Sequence, residues 1–175
     1  MIVGILAAIA IPNIIRYQLE AKSAEAAPAL QALAAAEQAR GAAGKGYFVF
    51  PEGLPSAGSP GAARMTWSAD DLAAARRLGW QVEGASYARY RVHGVEDKQG
   101  KQAISMCAEM DHDGDGKMAA WVLFRPALGP GGEVIVSPPP APCDEWVAVA
   151  EGASLEFGEG TPPGKPIRVS PPDVF

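Results

Sequence analysis

The chain opens on an unbroken apolar run from Met1 to Ile11, and Pro12 closes it. From there the apolar positions fall at helical spacing. Ile15, Leu19, Ala26, Leu30 and Leu33 stand 4, 7, 4 and 3 residues apart and share one face. This spacing predicts one long helix over residues 14–40, with alanine supplying the propensity from Ala24 to Ala39 and Gly41 the stop. Pro28 falls inside the pattern and is expected to kink the helix rather than end it, because the periodicity resumes at once. Arg16 and Glu20 are four apart on another face and can pair weakly. Ahead of them, Gly4 and Pro12 are two weak points, one conformationally loose and one lacking a backbone donor. The segment between them is expected to be helical in an apolar setting and easily melted.

Beyond Gly41 the pattern changes. Residues 41–66 are rich in Gly, Ala and Pro and read as a long loop with one packed or strand-like anchor, Tyr47 to Phe50. Ser68 and Asp71 have capping-box spacing and predict a short helix to about Leu78, stopped by Gly79. Strict alternation follows. Ala88, Tyr90 and Val92 alternate with Arg89, Arg91 and His93. In 102–110, Ile104, Met106 and Ala108 alternate with Ser105, Cys107 and Glu109, and in 118–125 Met118, Ala120, Val122 and Phe124 share a face. Residues 134–136 and 146–150 are further strand candidates. Asp111 to Gly116 makes the turn between the second and third strands. Ser137 to Pro142 predicts extended polyproline. The segment 161–175 carries five prolines and is expected to run irregularly over the surface. The fold class expected is α+β: a long N-terminal helix packed by one face on an antiparallel β-sheet meander. Residues 1–40 form the helix, and 41–175 form a globular β domain with a Pro-rich tail.

Composition narrows the function classes. The net charge of −5 argues against a nucleic-acid partner, which wants a basic face. Charged residues at 20% and apolar residues at 48% fit a folded chain with a core. Two cysteines, Cys107 and Cys143, allow one disulfide, and an exported chain is expected to form it.

The run Gly4-Ile-Leu-Ala-Ala-Ile-Ala-Ile-Pro12-Asn13 resembles, residue for residue, the N-terminal signature of type IV pilins and pseudopilins. The strict match covers about the first tenth of the chain, and the remainder is similar in layout. The resemblance implies a type IV pilin-like fold. It also implies a helix that lies in a membrane before assembly and in a filament core afterwards. Ile2, Gly4, Ile5, Leu6, Ile9, Ile11, Pro12, Ile14 and Ile15 carry that role. In the family the Gly4–Pro12 segment is where the helix can stretch as subunits pack. The sequence departs from the family upstream. The basic leader, the glycine cut site and the Phe-Thr-Leu-Ile-Glu-Leu-like start are not in it, and the first acid is Glu20. The chain is thus expected to fall short of the family's helix by roughly ten residues, and of the ~20 apolar residues a bilayer span needs. A signal-peptide hydrophobic region would also suit the run's length. No small-residue cleavage site follows, however, and the amphipathic pattern continues directly.

Of catalytic signatures the sequence offers neither a phosphate loop, nor HExxH, nor Gly-x-Ser-x-Gly, nor a CxxC pair, so no enzyme activity is expected. One constellation carries chemistry. Asp111, Asp113 and Asp115, followed by Gly116, match the first half of an EF-hand calcium loop, where alternate carboxylates converge on one cation. The twelfth position is Val122 rather than Glu, so the loop is not an EF-hand. Calcium held by the three carboxylates and the Lys117 carbonyl is one reading, and a solvated Asp/Gly turn is the other.

The leading functional expectation is a structural subunit of a type IV pilus-like extracellular filament. Its partners are copies of itself, other pilins or pseudopilins, and inner-membrane assembly machinery. The rivals are a type II secretion pseudopilin with a calcium-binding turn, and a secreted calcium-binding or adhesive module.

Overall fold

The computed structural model describes the backbone of residues 2–158 and 160–175, and the side chains from Ala10 onward, Glu159 excepted. Helix α1, Ile2–Ser23, runs unbroken through Pro12, and α2, Ala26–Ala42, follows it. The break thus falls one turn before Pro28 rather than at it. Proline has no N–H for the Ala24 carbonyl, and its ring crowds that carbonyl, which weakens the helix one turn ahead of Pro28, and there it breaks. The chain closes α1 with the Ala24 N–H on Glu20 O (3.0 Å) and the Glu25 N–H on Lys22 O (3.3 Å). It restarts with the Ala29 N–H on Glu25 O at 3.3 Å. Pro28 then sits in the first turn of α2, where a missing donor leaves nothing unsatisfied. α2 passes Gly41, and the left-handed conformation after it falls on Gly44 (φ +70°).

Strand β1 is Phe50–Leu54 and β2 is Met65–Thr66. Helix α3, Ala69–Leu78, has the bounds its capping box predicts. Ser68 Oγ accepts from the Asp71 N–H at 3.1 Å, and Asp71 Oδ2 accepts from the Ser68 N–H at 3.0 Å. Then come β3 (Ala85–Ser86), β4 (Arg89–Glu96), β5 (Gln102–Met110), β6 (Ala119–Arg125), β7 (Ala127–Leu128), β8 (Val134–Val136) and β9 (Ile167–Arg168). The main sheet is antiparallel in the order β1-β4-β5-β6-β9, with Val92 opposite Met106 and Met106 opposite Leu123. β2 pairs β3, and β7 pairs β8, in two small sheets.

The expected type IV pilin-like fold, one long N-terminal helix packed on an antiparallel β-sheet meander, is therefore corrected. The chain is α+β, but the helix is two helices, and only β4, β5 and β6 form the meander. The flanking strands come from segments expected to be loop and surface tail. Pro166 precedes Ile167-Arg168-Val169, so the proline sits where a strand can begin, and the short apolar stretch after it completes the edge of β6. Residues 134–136 do form a strand, but outside the main sheet. Residues 146–150 contribute one bridge, Val147 to Met118.

Both faces of the sheet are covered. On one, Ala26, Leu30 and Leu33 of α2 and Ala75 and Leu78 of α3 pack with Trp67, Trp80, Tyr90, Met106 and Leu123. On the other, Cys107, Ala120, Val122 and Phe124 lie under Ala141, Val147 and Val169. The alternation in β5 is real, but its second set is buried too.

Glu37 of α2 is fully buried, and its Oε2 accepts the Phe48 N–H at 2.9 Å. Burial pushes its carboxyl up to about 7, against the pull of that N–H and of Arg40. The folded state therefore holds the proton more tightly than the unfolded chain, whose value is near 4.5. Stability from this group is complete below that value and is lost as pH rises to about 7. Glu37→Gln keeps an acceptor for Phe48 and removes the charge. Urea unfolding at pH 5 and pH 8 is expected to show the variant gaining about 1–3 kcal/mol over the parent at the higher pH only. An equal difference at both pH values would contradict this.

Candidate functional site

The acidic turn joins β5 to β6. Its first two residues are buried, Asp111 at 6% and His112 at 2% exposure, while Asp113 and Asp115 stand in solvent. Asp111 organises the turn. Its Oδ1 accepts the Gly114 N–H at 2.7 Å and its Oδ2 the Gly116 N–H at 3.2 Å. Gly114 and Gly116 make this return possible with φ of +76° and +84°, where a side chain would be strained. Asp113 Oδ1 accepts the Asp115 N–H at 3.4 Å, and Asp115 Oδ1 accepts the Lys117 N–H at 2.8 Å. The three side chains bring carboxylate oxygens within 4.8 Å of one another. An ionised carboxylate offers about four lone-pair sites, so these N–H contacts leave room for a cation. Partial burial and the charges of Asp115 and Asp111 raise the Asp113 carboxyl, and the Asp115 N–H lowers it. Lys117 reaches the group from outside, its Nζ 3.9 Å from Asp115 Oδ2. The arrangement suits a hard, oxygen-preferring divalent cation.

The His112 ring packs edge-on to Tyr87 at 5.2 Å, and neither ring nitrogen has a hydrogen-bond partner among the described residues. Burial, then Lys22 and Arg168, push it down to about 4 against the pull of Asp111, so it is neutral in the fold. The His112 N–H donates to Phe175 O at 2.7 Å, which pins the root of the turn to the tail.

At the other end of the molecule's chemistry lies α1. Among its described side chains Ile11, Ile14, Ile15 and Tyr17 are exposed at 56%, 54%, 52% and 69%. Pro12 lies among them without breaking the helix. Ile2, Gly4, Ile5, Leu6 and Ile9 belong to the same helix by backbone, and their side chains lie outside the described residues. Burial begins only at Ser23 and continues with Ala26. No helix among the described residues is long and apolar enough to cross a membrane.

Cys107 and Cys143 are joined by a disulfide, Cα atoms 5.5 Å apart. Beside it lies a polar group that alternation alone hides. Glu109, 1% exposed, pairs with Arg91 Nε at 3.2 Å and accepts the Asp144 N–H, while Arg91 Nη2 reaches Asp144 Oδ2 at 3.3 Å. Burial raises the Glu109 carboxyl to about 7; Arg91 pulls it down, Asp144 pushes it up, and Arg89 pulls it down. This network and the disulfide hold residues 143–144 over the second core. Glu109 stands opposite Arg89 and Arg91 opposite Cys107, so Glu109 and Arg91 meet diagonally across β4 and β5, a pairing that needs the strand register and not the alternation alone.

No protein-family model matches the chain, and neither a curated protein nor a solved structure matches it. The type IV pilin-like fold thus has no structural neighbour behind it, in keeping with the corrected topology.

The disulfide closes a loop across a sequence separation of 36 residues. Replacing both cysteines with alanine is expected to cost about 2–4 kcal/mol in denaturant unfolding. A loss well below 1 kcal/mol would mean that the Glu109–Arg91–Asp144 network holds the segment alone.

Proposed function

We propose that this chain is a structural subunit of an extracellular filament of the type IV pilus kind, polymerising through its apolar N-terminal helix. One observation carries the reading: α1 bears exposed isoleucines, Ile11, Ile14 and Ile15, and among its described side chains burial begins only at Ser23. Apolar side chains so placed favour association, because removal from water is worth about 25 cal/mol per Å². In this reading the helices of many copies pack together as the core and the β domains face outward. The partners are other copies, related pilins or pseudopilins, and assembly machinery in the bacterial inner membrane, against which the helix rests beforehand. The identity of Gly4–Asn13 with the pilin signature supports it. The role is assembly, with no catalysis assigned.

Removing residues 1–24 leaves Glu25 to begin α2 and is expected to give a soluble monomer, while the full chain associates. Light scattering and negative-stain microscopy of both forms provide the check. Fibres from the shortened chain would end the proposal.

The acidic turn favours a second reading, a periplasmic pseudopilus subunit that takes calcium on Asp111, Asp113 and Asp115, with the Lys117 carbonyl added. Without a Glu at position 122 the affinity belongs in the extracellular range, about 10⁻⁴–10⁻³ M. Millimolar calcium is then expected to stabilise the domain by about 1 kcal/mol through mass action. Thermal unfolding in calcium against chelator measures this, and Asp113→Ala is expected to abolish the difference. Equal melting temperatures in both buffers reduce the motif to a turn.

A further inference from the structure

A cleft of about 530 Å³ opens where five separate segments meet: the end of α2, Tyr47, the β4–β5 turn, the exit of β6, and the turn at 163–164. That volume suits a small molecule. Its charge is one-sided. Lys101 and Arg125 line it and, among the described residues, no carboxylate does, in a chain where Asp and Glu outnumber Lys and Arg by 20 to 15. Glu96 stands at the cleft's edge, where it accepts from Gln102 and its Oε1 lies 3.9 Å from where a β-carbon on Gly100 would be, and it lines a smaller adjoining cavity. Among the described residues neither cation has a carboxylate within the 4.0 Å of an ion pair.

Arg125 is also oriented. Its Nη2 donates to Gln38 Oε1 at 2.9 Å, and this is the sole acceptor its guanidinium has among the described residues. Gly164 faces it. A β-carbon there would lie 3.8 Å from Nη2 and 3.9 Å from Nε, so a side chain at this position would begin to fill the space beside the fork. A planar guanidinium with free N–H groups matches a carboxylate in two-point geometry. The remaining walls are of another kind. Tyr47, Pro126 and Pro163 add apolar surface to a lining that is otherwise largely polar, and the Gln38 amide nitrogen has no acceptor among the described residues and can meet a hydroxyl. A cationic corner beside some apolar surface and an amide suits a ring that carries a carboxylate and hydroxyls.

We propose that this cleft binds a carboxylated sugar of hexuronate size, with Arg125 taking the carboxylate, Lys101 drawing the anion in, and Tyr47 lining the apolar side of the ring. A free uronic acid and the end of an acidic polysaccharide present the same group. The proposal is independent of filament assembly, since none of these residues lies on α1.

Calorimetric titration of the full chain with glucuronate tests it, beside glucose (ring without charge), acetate (charge without ring) and an oligoglucuronate. Saturable glucuronate binding with a Kd on the order of 1 mM is expected, at least about tenfold tighter than glucose or acetate. Arg125→Met is expected to weaken it about tenfold or more, and Lys101→Met, on an exposed turn, about threefold. Tighter binding of the oligomer than of the monomer would assign the cleft to a polysaccharide end, and equal binding to the free sugar. Arg125→Lys keeps the charge without the fork and is expected to fall between the parent and Arg125→Met, so a folding defect in the Met variant leaves the test intact. Absence of saturable binding, acetate binding as tightly as glucuronate, or a glucuronate affinity unchanged in the Arg125 variants overturns the proposal.

Discussion

A strand buried on both faces must be covered twice, and Gln102–Met110 is such a strand: every residue after Gln102 is buried. Its Ile104, Met106 and Ala108 need the helices, and its Ser105, Cys107 and Glu109 need something else. That second requirement organises the last third of the chain. Ser105 Oγ donates to Pro140 O at 3.0 Å, Cys107 binds Cys143, and Glu109 takes the Asp144 N–H. Three successive outward positions of one strand thus each fasten one irregular segment. A polyproline stretch has no ladder of its own, so these side-chain ties replace it.

The same economy explains the buried acids. Glu37 and Glu109 lie on opposite faces of the sheet, and burial raises both to about 7. Each accepts a backbone N–H from a segment without regular pairing, Phe48 in one case and Asp144 in the other. A carboxylate accepts such a bond more strongly than a neutral oxygen does, which offsets part of its burial. His112 works in the reverse sense. Held neutral, it fills space against Tyr87, and its stability contribution grows as pH rises from about 4 toward 6.5, where the unfolded chain gives up its proton. Over that interval it opposes the two glutamates.

Legibility followed locality. The α3 boundaries were readable because the capping box and the left-handed glycine each act within four residues of their own partners. β5 was readable from alternation, and α2's buried face from Ala26, Leu30 and Leu33. The helix break was misplaced by one turn because proline acts on the residues before it, not on itself. β9 was hidden by the prolines around it, since three residues pair only when β6 offers an open edge, a fact no local pattern holds. The burial of Glu109 and His112 was not legible for the same reason: what buries them arrives from sequence positions far away. The three aspartates of the turn, by contrast, come together as their spacing indicates, because a short loop closes on itself.

The interruption at Ala24–Glu25 has a mechanical meaning. Glu25 is gripped by the domain, its Oε1 accepting the Tyr87 N–H and its Oε2 the Arg64 guanidinium, both at 3.2 Å. Just before it, Lys22 rests over the Tyr87 ring at 5.0 Å. A load applied along α1 therefore enters the domain at one knot, spread over a charged pair, a backbone bond and a cation–ring contact. It does not run on down an uninterrupted rod into α2.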